Sequence, residues 1–270
     1  SLMLPQGTHQ IRVELEQHRF ATATVAISAG LATSQDFSLE RAPAILFIDG
    51  GAWYNDSQRR YYEDALRDAR YLYDRHVIAN TDIAPTDIPT AGTLLPYDVV
   101  IWSSPQDSPG YIGASGAITN YLEAGGKLLL SGQDIAFWDS GGSGMTWAPY
   151  LRDYLKVHLV EDDASSRVLH GQGILAGLTI SIAGTGGADN QRYPDVIRAA
   201  AEENIDSVWT YAAGGSGGQT IGGCLPYRAV FLSFGFEGID NAQARRQVLE
   251  RSIEWLSAPP QSAGVTLLKQ

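Results

Sequence analysis

Several residue types that build familiar sites are scarce in this sequence. One cysteine, Cys224, occurs in 270 residues, which excludes an intrachain disulfide and a cysteine-based zinc cluster. No apolar run approaches the roughly 20 residues that a membrane-spanning helix needs. The 19 basic residues face 30 acidic ones, a net charge of −11. This charge argues against nucleic acid and anionic membrane surfaces as partners.

Sequence motifs for catalysis are also missing. The five histidines show neither HxxxH nor HExxH spacing, and no Walker A loop occurs. The stretch GGSGG at 214–218 fits Gly-x-Ser-x-Gly, but we expect a flexible glycine loop there rather than a turn between a strand and a helix. We therefore assign no catalytic residue.

The chain ends differ from its middle. Residues 1–41 alternate apolar and polar positions in HQIRVELEQ and ATATVAISAG, the period of half-buried strands, and predict a β-hairpin. Residues 259–270 begin as a proline-rich linker and end like the first strand of a following segment. We expect a piece of a longer chain, with its own neighbouring domains as partners. The low cysteine count fits a cytoplasmic protein or a secreted bacterial one.

The middle, residues 42–258, alternates buried strands with helices. AILFIDGG, YDVVIWSSP, KLLLSG and YRAVFLSFGFEG predict parallel strands, because apolar runs of this length are buried on both faces. Helices are predicted at about 58–74, in ASGAITNYLEAGG, in TWAPYLRDYL and in DNAQARRQVLERSIEWL, the last with Asp240 as its cap. The prediction is an α/β domain with a mostly parallel sheet.

Ligands of open parallel sheets bind beyond the carboxyl ends of the strands. The candidate pocket residues there are Asp49, Gly50, Gly51, Ser103, Ser104, Gln133, Asp134 and Glu237. Three of them, Asp49, Asp134 and Glu237, are carboxylates that would hold calcium or magnesium if they converge. The alternative is that each caps a helix or accepts backbone N–H groups.

Aromatic residues cluster in sequence around these strand ends. They are Trp53, Tyr54, Trp102, Phe137, Trp138 and Trp147. Such a group stacks on a carbohydrate or peptide ligand, or else forms part of the core.

YDVVIWSSP, ITNYLEAGGKLLLSGQD and YRAVFLSFGFEGIDNAQARRQVLERSIEWL together resemble the class I glutamine amidotransferase-like superfamily over about 42–258. The likeness is greatest to variants that occur as modules of large secreted bacterial proteins, some with peptidase domains. The resemblance implies a flavodoxin-like three-layer α/β/α sandwich. Active members carry Gly-x-Cys-x-Gly at the turn and a later His-x-Glu. Here Gln133 stands at the cysteine position and no His-x-Glu follows, so we expect no glutaminase activity.

Two functions follow from these patterns. The first is a non-catalytic module of a secreted or cell-surface multidomain protein, used for binding or domain organisation. The second is a hydrolase, either metal-assisted through Asp49, Asp134 and Glu237 or an accessory domain of a secreted peptidase.

Overall fold

A computed structural model describes residues 3–53, 57–81, 84–141, 147–199 and 204–259. The strands are β1 (Gly7–Val13), β2 (Ala21–Ile27), β3 (Ile45–Asp49), β4 (Asp74–Val77), β5 (Ala79–Thr81), β6 (Ala84–Thr86), β7 (Val99–Ser103), β8 (Lys127–Ser131), β9 (Val157–Glu161), β10 (Val168–Gly171), β11 (Thr179–Ser181), β12 (Val196–Ala199), β13 (Ile205–Tyr211), β14 (Ser216–Ile221) and β15 (Arg228–Leu232). The helices are α1 (Arg59–Asp68), α2 (Ala91–Leu94), α3 (Ser115–Glu123), α4 (Ile135–Asp139) and α5 (Ala242–Ser257). None of these helices is both long and apolar enough to cross a membrane.

One large mixed sheet organises the domain. Its strand order is β11-β10-β13-β14-β15-β8-β7-β3-β4, and β12 joins β9 to β14. Strands β4, β3, β7, β8 and β15 are parallel neighbours, whereas the other pairs are antiparallel. The predicted α/β class is confirmed, but the expected parallel arrangement covers only this core. Counted along the chain, the parallel strands run 2-1-3-4-5, a common order of doubly wound sheets.

The parallel strands are buried on both faces, as their continuous apolar runs predict. Alternate side chains point to opposite faces, so that Phe47 packs with α1 and α5 whereas Trp102 packs with α3. Helix α5 buries Val248, Leu249, Ile253 and Leu256. Its cap is Asn241, which accepts from the Ala244 N–H at 2.9 Å, rather than the predicted Asp240.

The predicted glycine loop at 214–218 is wrong. Strand β13 ends at Tyr211, a tight turn follows, and Ser216 already belongs to strand β14. Gly215 has a φ of +83°, which favours glycine in such a turn. The side chains of Leu169 and Tyr211 fill the space beside Gly217, where a Cβ atom would lie 2.5 Å from Leu169 Cδ2. The glycines therefore build a hairpin inside the sheet, and Gly-x-Ser-x-Gly here is no nucleophile turn.

Other boundaries shift as well. The helix predicted at about 58–74 is α1, which ends at Asp68. TWAPYLRDYL forms only a π-helical turn at Tyr150–Tyr154. Asn55 and Asp56, which precede α1 and suit an N-cap by residue type, lie outside the described residues.

The predicted N-terminal hairpin is present as β1 and β2, which pair antiparallel from Gly7 opposite Ile27 to Val13 opposite Ala21. One buried cation fastens it to the α/β layers. The guanidinium of Arg19 donates to Glu250, to Glu254 at 3.0 Å and to the Tyr71 hydroxyl at 2.7 Å. Residues 1–41 therefore contact α5 directly, although the sequence alone separates them from 42–258.

Replacing Arg19 by alanine should lower the free energy of unfolding by about 2 kcal/mol, because Glu250 and Tyr71 lose a buried partner. Denaturant unfolding followed by circular dichroism measures this change. The matched control is Arg67→Ala, whose ion pairs with Asp64 and Asp68 are exposed and should contribute less than about 0.5 kcal/mol. Equal effects of the two substitutions would contradict the assigned role of Arg19.

Candidate functional site

Gln133 lies in the turn after strand β8, at the edge of the sheet formed by the carboxyl ends of the parallel strands. Gly132 lies so close to the neighbouring strand end that a Cβ atom there would be 1.9 Å from the Ser104 carbonyl oxygen. The Ser104 N–H also donates to the Ser131 carbonyl at 2.9 Å. Only glycine permits this approach, and it fixes the direction in which Gln133 leaves the sheet.

Gln133 holds a loop and is not available for chemistry. Its Nε2 donates to the carbonyls of Pro105 at 2.9 Å and Asn190 at 3.1 Å. Its Oε1 accepts the N–H groups of Arg192 at 2.7 Å and Tyr193 at 3.1 Å. With four hydrogen bonds and 1% exposure, the amide is fully satisfied and ties residues 190–193 across the strand ends.

Glu237 binds the same loop, residues 190–193, through the side chains of Asn190 and Gln191. It is fully buried and accepts hydrogen bonds from Asn190 Nδ2 at 3.0 Å, Gln191 Nε2 at 3.2 Å and the Tyr62 hydroxyl at 3.2 Å. Burial raises the pKa of this carboxyl group, and the hydrogen bonds oppose the rise. Glu237 was predicted to line a pocket, but it is enclosed by its own partners.

The predicted residues on strands β3 and β7 are also buried. Asp49 is 1% exposed, and its Oδ2 accepts from the Ser57 hydroxyl at 2.5 Å. A Cβ atom on Gly50 would lie 2.3 Å from the Ser103 carbonyl oxygen. Gly51 opens a buried 3-10 turn, and Ser103 and Ser104 are fully buried. These residues shape the edge of the sheet from inside and do not border the open cleft.

The predicted cation site is not formed. Among the described residues, no group of three or more His, Cys, Asp or Glu side chains is arranged to hold a metal ion. Asp49 pairs with Ser57 and Glu237 with the loop, whereas the charges that act on Asp134 are those of Asp162 and Asp107. The three carboxylates lie at one edge of the sheet because each residue is at or near the end of a strand, but their side chains interact with different neighbours.

A cleft of about 700 Å³ opens beside Gln133 at the carboxyl ends of β7 and β8. Of the predicted pocket residues, Gln133 and Asp134 line it. Its full lining is Gln106, Gln133, Asp134, Phe137, Trp138, Asp162, Asp189, Asn190, Arg192 and Tyr193. A large concave site at this edge is where doubly wound sheets place their ligands.

Aromatic rings form a row that leads into this cleft. Trp53 stacks with Tyr111 at 6.3 Å between ring centroids, and Tyr111 meets Trp138 at 5.5 Å. Phe137 packs edge-on against Trp138 at 5.4 Å. Tyr111 is held by its loop, because Asp139 accepts from the Ser108 hydroxyl at 2.6 Å and from the Gly110 N–H at 2.9 Å.

The other predicted aromatics divide between core and surface. Trp102 is fully buried, whereas Trp147 is 40% exposed and contacts His158 rather than the cleft. Tyr54 lies outside the described residues. Trp102 therefore belongs to the core, whereas Phe137 and Trp138 line the cleft, and ligand stacking stays a prediction.

Acidic groups dominate the electrostatics of the cleft. Burial, with the negative charges of Asp162 and Asp107 nearby, raises the pKa of Asp134 to about 7. Burial likewise raises the pKa of Asp107 to about 7, although Trp53 Nε1 donates to this carboxylate at 2.6 Å. The pKa of Asp162 is raised by burial and by Asp163.

Sequence reasoning missed the residues that the extended part of the sheet contributes to this site. Asp162 follows β9, and Asp189 to Tyr193 belong to the segment between β11 and β12. The sequence indicates these residues only by two polar features. They are the acidic pair Asp162 and Asp163 and the polar run from Asp189 to Arg192. No sequence pattern places that segment over the ends of distant parallel strands.

The described lining of the cleft contains no cysteine and no histidine. Cys224 is exposed in the turn before β15, at the amino end of the parallel strands, and its N–H donates to Asn204 Oδ1. The cleft therefore lacks the thiol and imidazole of a cysteine-based amidotransferase.

No protein-family model matches the chain, and no curated protein is significantly similar to it in sequence. Among solved structures, it is similar to a protein of Bacteroides uniformis described as ThuA-like, with a TM-score of 0.53 and 12% identity over 86% of this chain and 98% of that one. A protein of Parabacteroides merdae described as ThuA-like gives a TM-score of 0.43 and 14% identity over 79% and 89% of the two chains. The first likeness shows that this chain shares its fold with that ThuA-like protein, and it concerns the fold alone.

Replacing Gln133 by glutamate should lower the free energy of unfolding by about 3 kcal/mol at pH 7, because two buried carbonyls lose their donor and face a negative charge. Denaturant unfolding tests the substitution. Gln172→Glu is the control, since its amide donates to Thr210 at the surface, and its effect should stay below about 1 kcal/mol. A mild effect at Gln133 would show that the loop does not depend on this amide.

Asp134→Asn should stabilise the protein at pH 8 but not at pH 4. The pKa of Asp134 rises from 3.8 to about 7 in the fold, so the stability contributed by its protonated form is complete below 3.8 and is lost as the pH rises through 7. We expect a gain of about 2 kcal/mol at pH 8, after allowing for partial exposure.

Thermal unfolding of the wild type, Asp134→Asn and Asp68→Asn between pH 4 and pH 8 measures this dependence. Asp68 lies on the solvent side of α1 and is 49% exposed, so its variant should follow the wild type. A difference between Asp134→Asn and the wild type that stays constant with pH would disprove the perturbed titration.

Proposed function

We propose that this chain is a non-catalytic binding module whose cleft at the carboxyl ends of β7 and β8 takes a carbohydrate. In this proposal the parallel core and its two helix layers are a flavodoxin-like sandwich, and the antiparallel strands are an extension that supplies one wall of the cleft. The setting we propose is a multidomain protein that acts outside the cell, as expected from the sequence resemblance.

The observation that carries the proposal is the combination of aromatic rings with oxygen acceptors in one cleft. Phe137 and Trp138 are half-buried and Tyr193 is 52% exposed, which leaves ring faces open to a ligand. Around them lie the side chains of Gln106, Asp134, Asp162, Asp189 and Asn190. A sugar presents an apolar C–H face for stacking and hydroxyl donors for carboxylate and amide oxygens.

Binding without catalysis is favoured by what occupies the turn after β8. The amide of Gln133 is neutral, buried and hydrogen-bonded on both of its polar atoms. It cannot attack a carbonyl, and no thiol or imidazole of the described lining replaces it. The metal-assisted hydrolase loses its support, because Asp49, Asp134 and Glu237 do not form a ligand group.

Isothermal titration with trisaccharides of glucose, N-acetylglucosamine and glucosamine tests the proposal. We expect saturable binding of at least one of them, and a loss of about fivefold in affinity in Trp138→Ala, since aromatic contacts contribute about 1 kcal/mol each. The matched control is Trp147→Ala, an exposed tryptophan outside the cleft lining, which should bind like the wild type.

The proposal fails if none of the three trisaccharides binds at millimolar concentration. It also fails if Trp138→Ala and Trp147→Ala weaken binding equally, because the ligand would then lie elsewhere on the protein.

A further inference from the structure

The cleft has more negative charge than its own cation balances. Asp134, Asp162 and Asp189 line it, together with one cationic side chain, Arg192. In the part of the chain that the structure describes, none of these three carboxylates takes part in an ion pair. The charge is therefore left for solvent or for a ligand to compensate.

A second layer of acid lies directly beneath the cleft floor. Asp195 is fully buried, its Oδ2 accepts the N–H groups of Ala136 at 2.9 Å and Phe137 at 3.3 Å, and its own N–H donates to the Gln133 carbonyl at 3.2 Å. Its Oδ1 has no hydrogen-bond partner. The same holds for Oδ1 of Asp107, which is 4% exposed. The charge of Asp107 raises the pKa of Asp134, and the charge of Asp134 in turn raises the pKa of Asp195, so the carboxyl groups in and beneath the cleft are electrostatically coupled.

We infer that the carbohydrate bound in this cleft is an amino sugar, whose protonated amine lies against Asp134 and Asp162 while its ring packs on Trp138. This inference rests on the proposed function and names the ligand class for the same cleft. An ammonium group donates three hydrogen bonds and carries the compensating charge, which a hydroxyl group cannot supply. Trp138 adds a cation–π contribution when the amine lies near its face.

Acidic sugars are disfavoured by the same arrangement. A uronic or sialic carboxylate would meet Asp162, Asp189 and the ionised fraction of Asp134, with Arg192 as the one cationic side chain of the lining to oppose them. Neutral sugars retain stacking and hydroxyl contacts but leave the acidic groups uncompensated. The expected order of affinity is therefore amino sugar, then neutral sugar, then acidic sugar.

The experiment compares two trisaccharides that differ only at nitrogen, those of glucosamine and of N-acetylglucosamine, by isothermal titration at pH 7. We expect the free amine to bind at least tenfold more tightly. Raising sodium chloride from about 0.05 to 0.5 M should reduce this ratio, because added salt shortens the screening length. The affinity of the N-acetylated form should change little.

The carboxylates are tested with a double variant and a charge-matched control. Asp134→Asn with Asp162→Asn should bring the ratio of the two affinities close to one. The control, Asp64→Asn with Asp68→Asn, also removes two negative charges, but from α1 and away from the cleft. It should leave the ratio unchanged.

The outcomes separate this inference from the function on which it rests. Equal binding of both trisaccharides, or a preference that survives in Asp134→Asn with Asp162→Asn, overturns the amino-sugar assignment and leaves carbohydrate binding standing. Binding of neither trisaccharide, nor of the glucose trisaccharide, overturns both. A salt-sensitive preference that disappears only in the cleft variant supports the inference.

Discussion

The four hydrogen bonds of the Gln133 amide are the constraint on which the cleft depends. They connect the end of β8 with Pro105 after β7 and with residues 190–193, three segments far apart in the sequence. A second connection joins the same segment to the loop after β15. Gln191 donates to Glu237 and accepts from the Gly235 N–H at 2.6 Å. Arg167 holds the same segment, because its guanidinium donates to the carbonyls of Gln191 at 3.0 Å and Arg192 at 2.7 Å.

The antiparallel half of the sheet brings that segment to the site. Strands β14, β13 and β10 continue the sheet beyond β15 as antiparallel strands, and β12 pairs with both β14 and β9. A parallel sheet alone offers loops from its own strand ends. Here the extension adds a wall rich in polar side chains to the cleft, so its lining is not limited to the loops of the core strands.

The sequence predicted the features that repeat along the chain. Strands β3, β7, β8 and β15 are continuous apolar runs, and α5 carries a clear apolar stripe, so burial alone specifies them. The hairpin β13–β14 was missed because its glycines indicate a loop, whereas here they allow close packing inside a sheet. The site was predicted only in part, at Gln133 and Asp134. Strand-end position gives the edge of the sheet but not the direction of Asp49 or Glu237, which is decided by partners distant in sequence.

Buried carboxyl groups in and beneath the cleft lower the stability of the fold when they ionise. Asp107, Asp134 and Asp195 all have raised pKa values caused first by burial, so ionisation of each opposes folding near neutral pH. Asp139, by contrast, is compensated internally, because it accepts from the Ser108 hydroxyl and the Gly110 N–H. Around the cleft the compensation is incomplete, and Oδ1 of both Asp107 and Asp195 lacks a partner. Local violations of the usual rules of packing concentrate at functional sites, and these unsatisfied carboxyl groups beside the cleft support the proposal that it takes a cationic ligand.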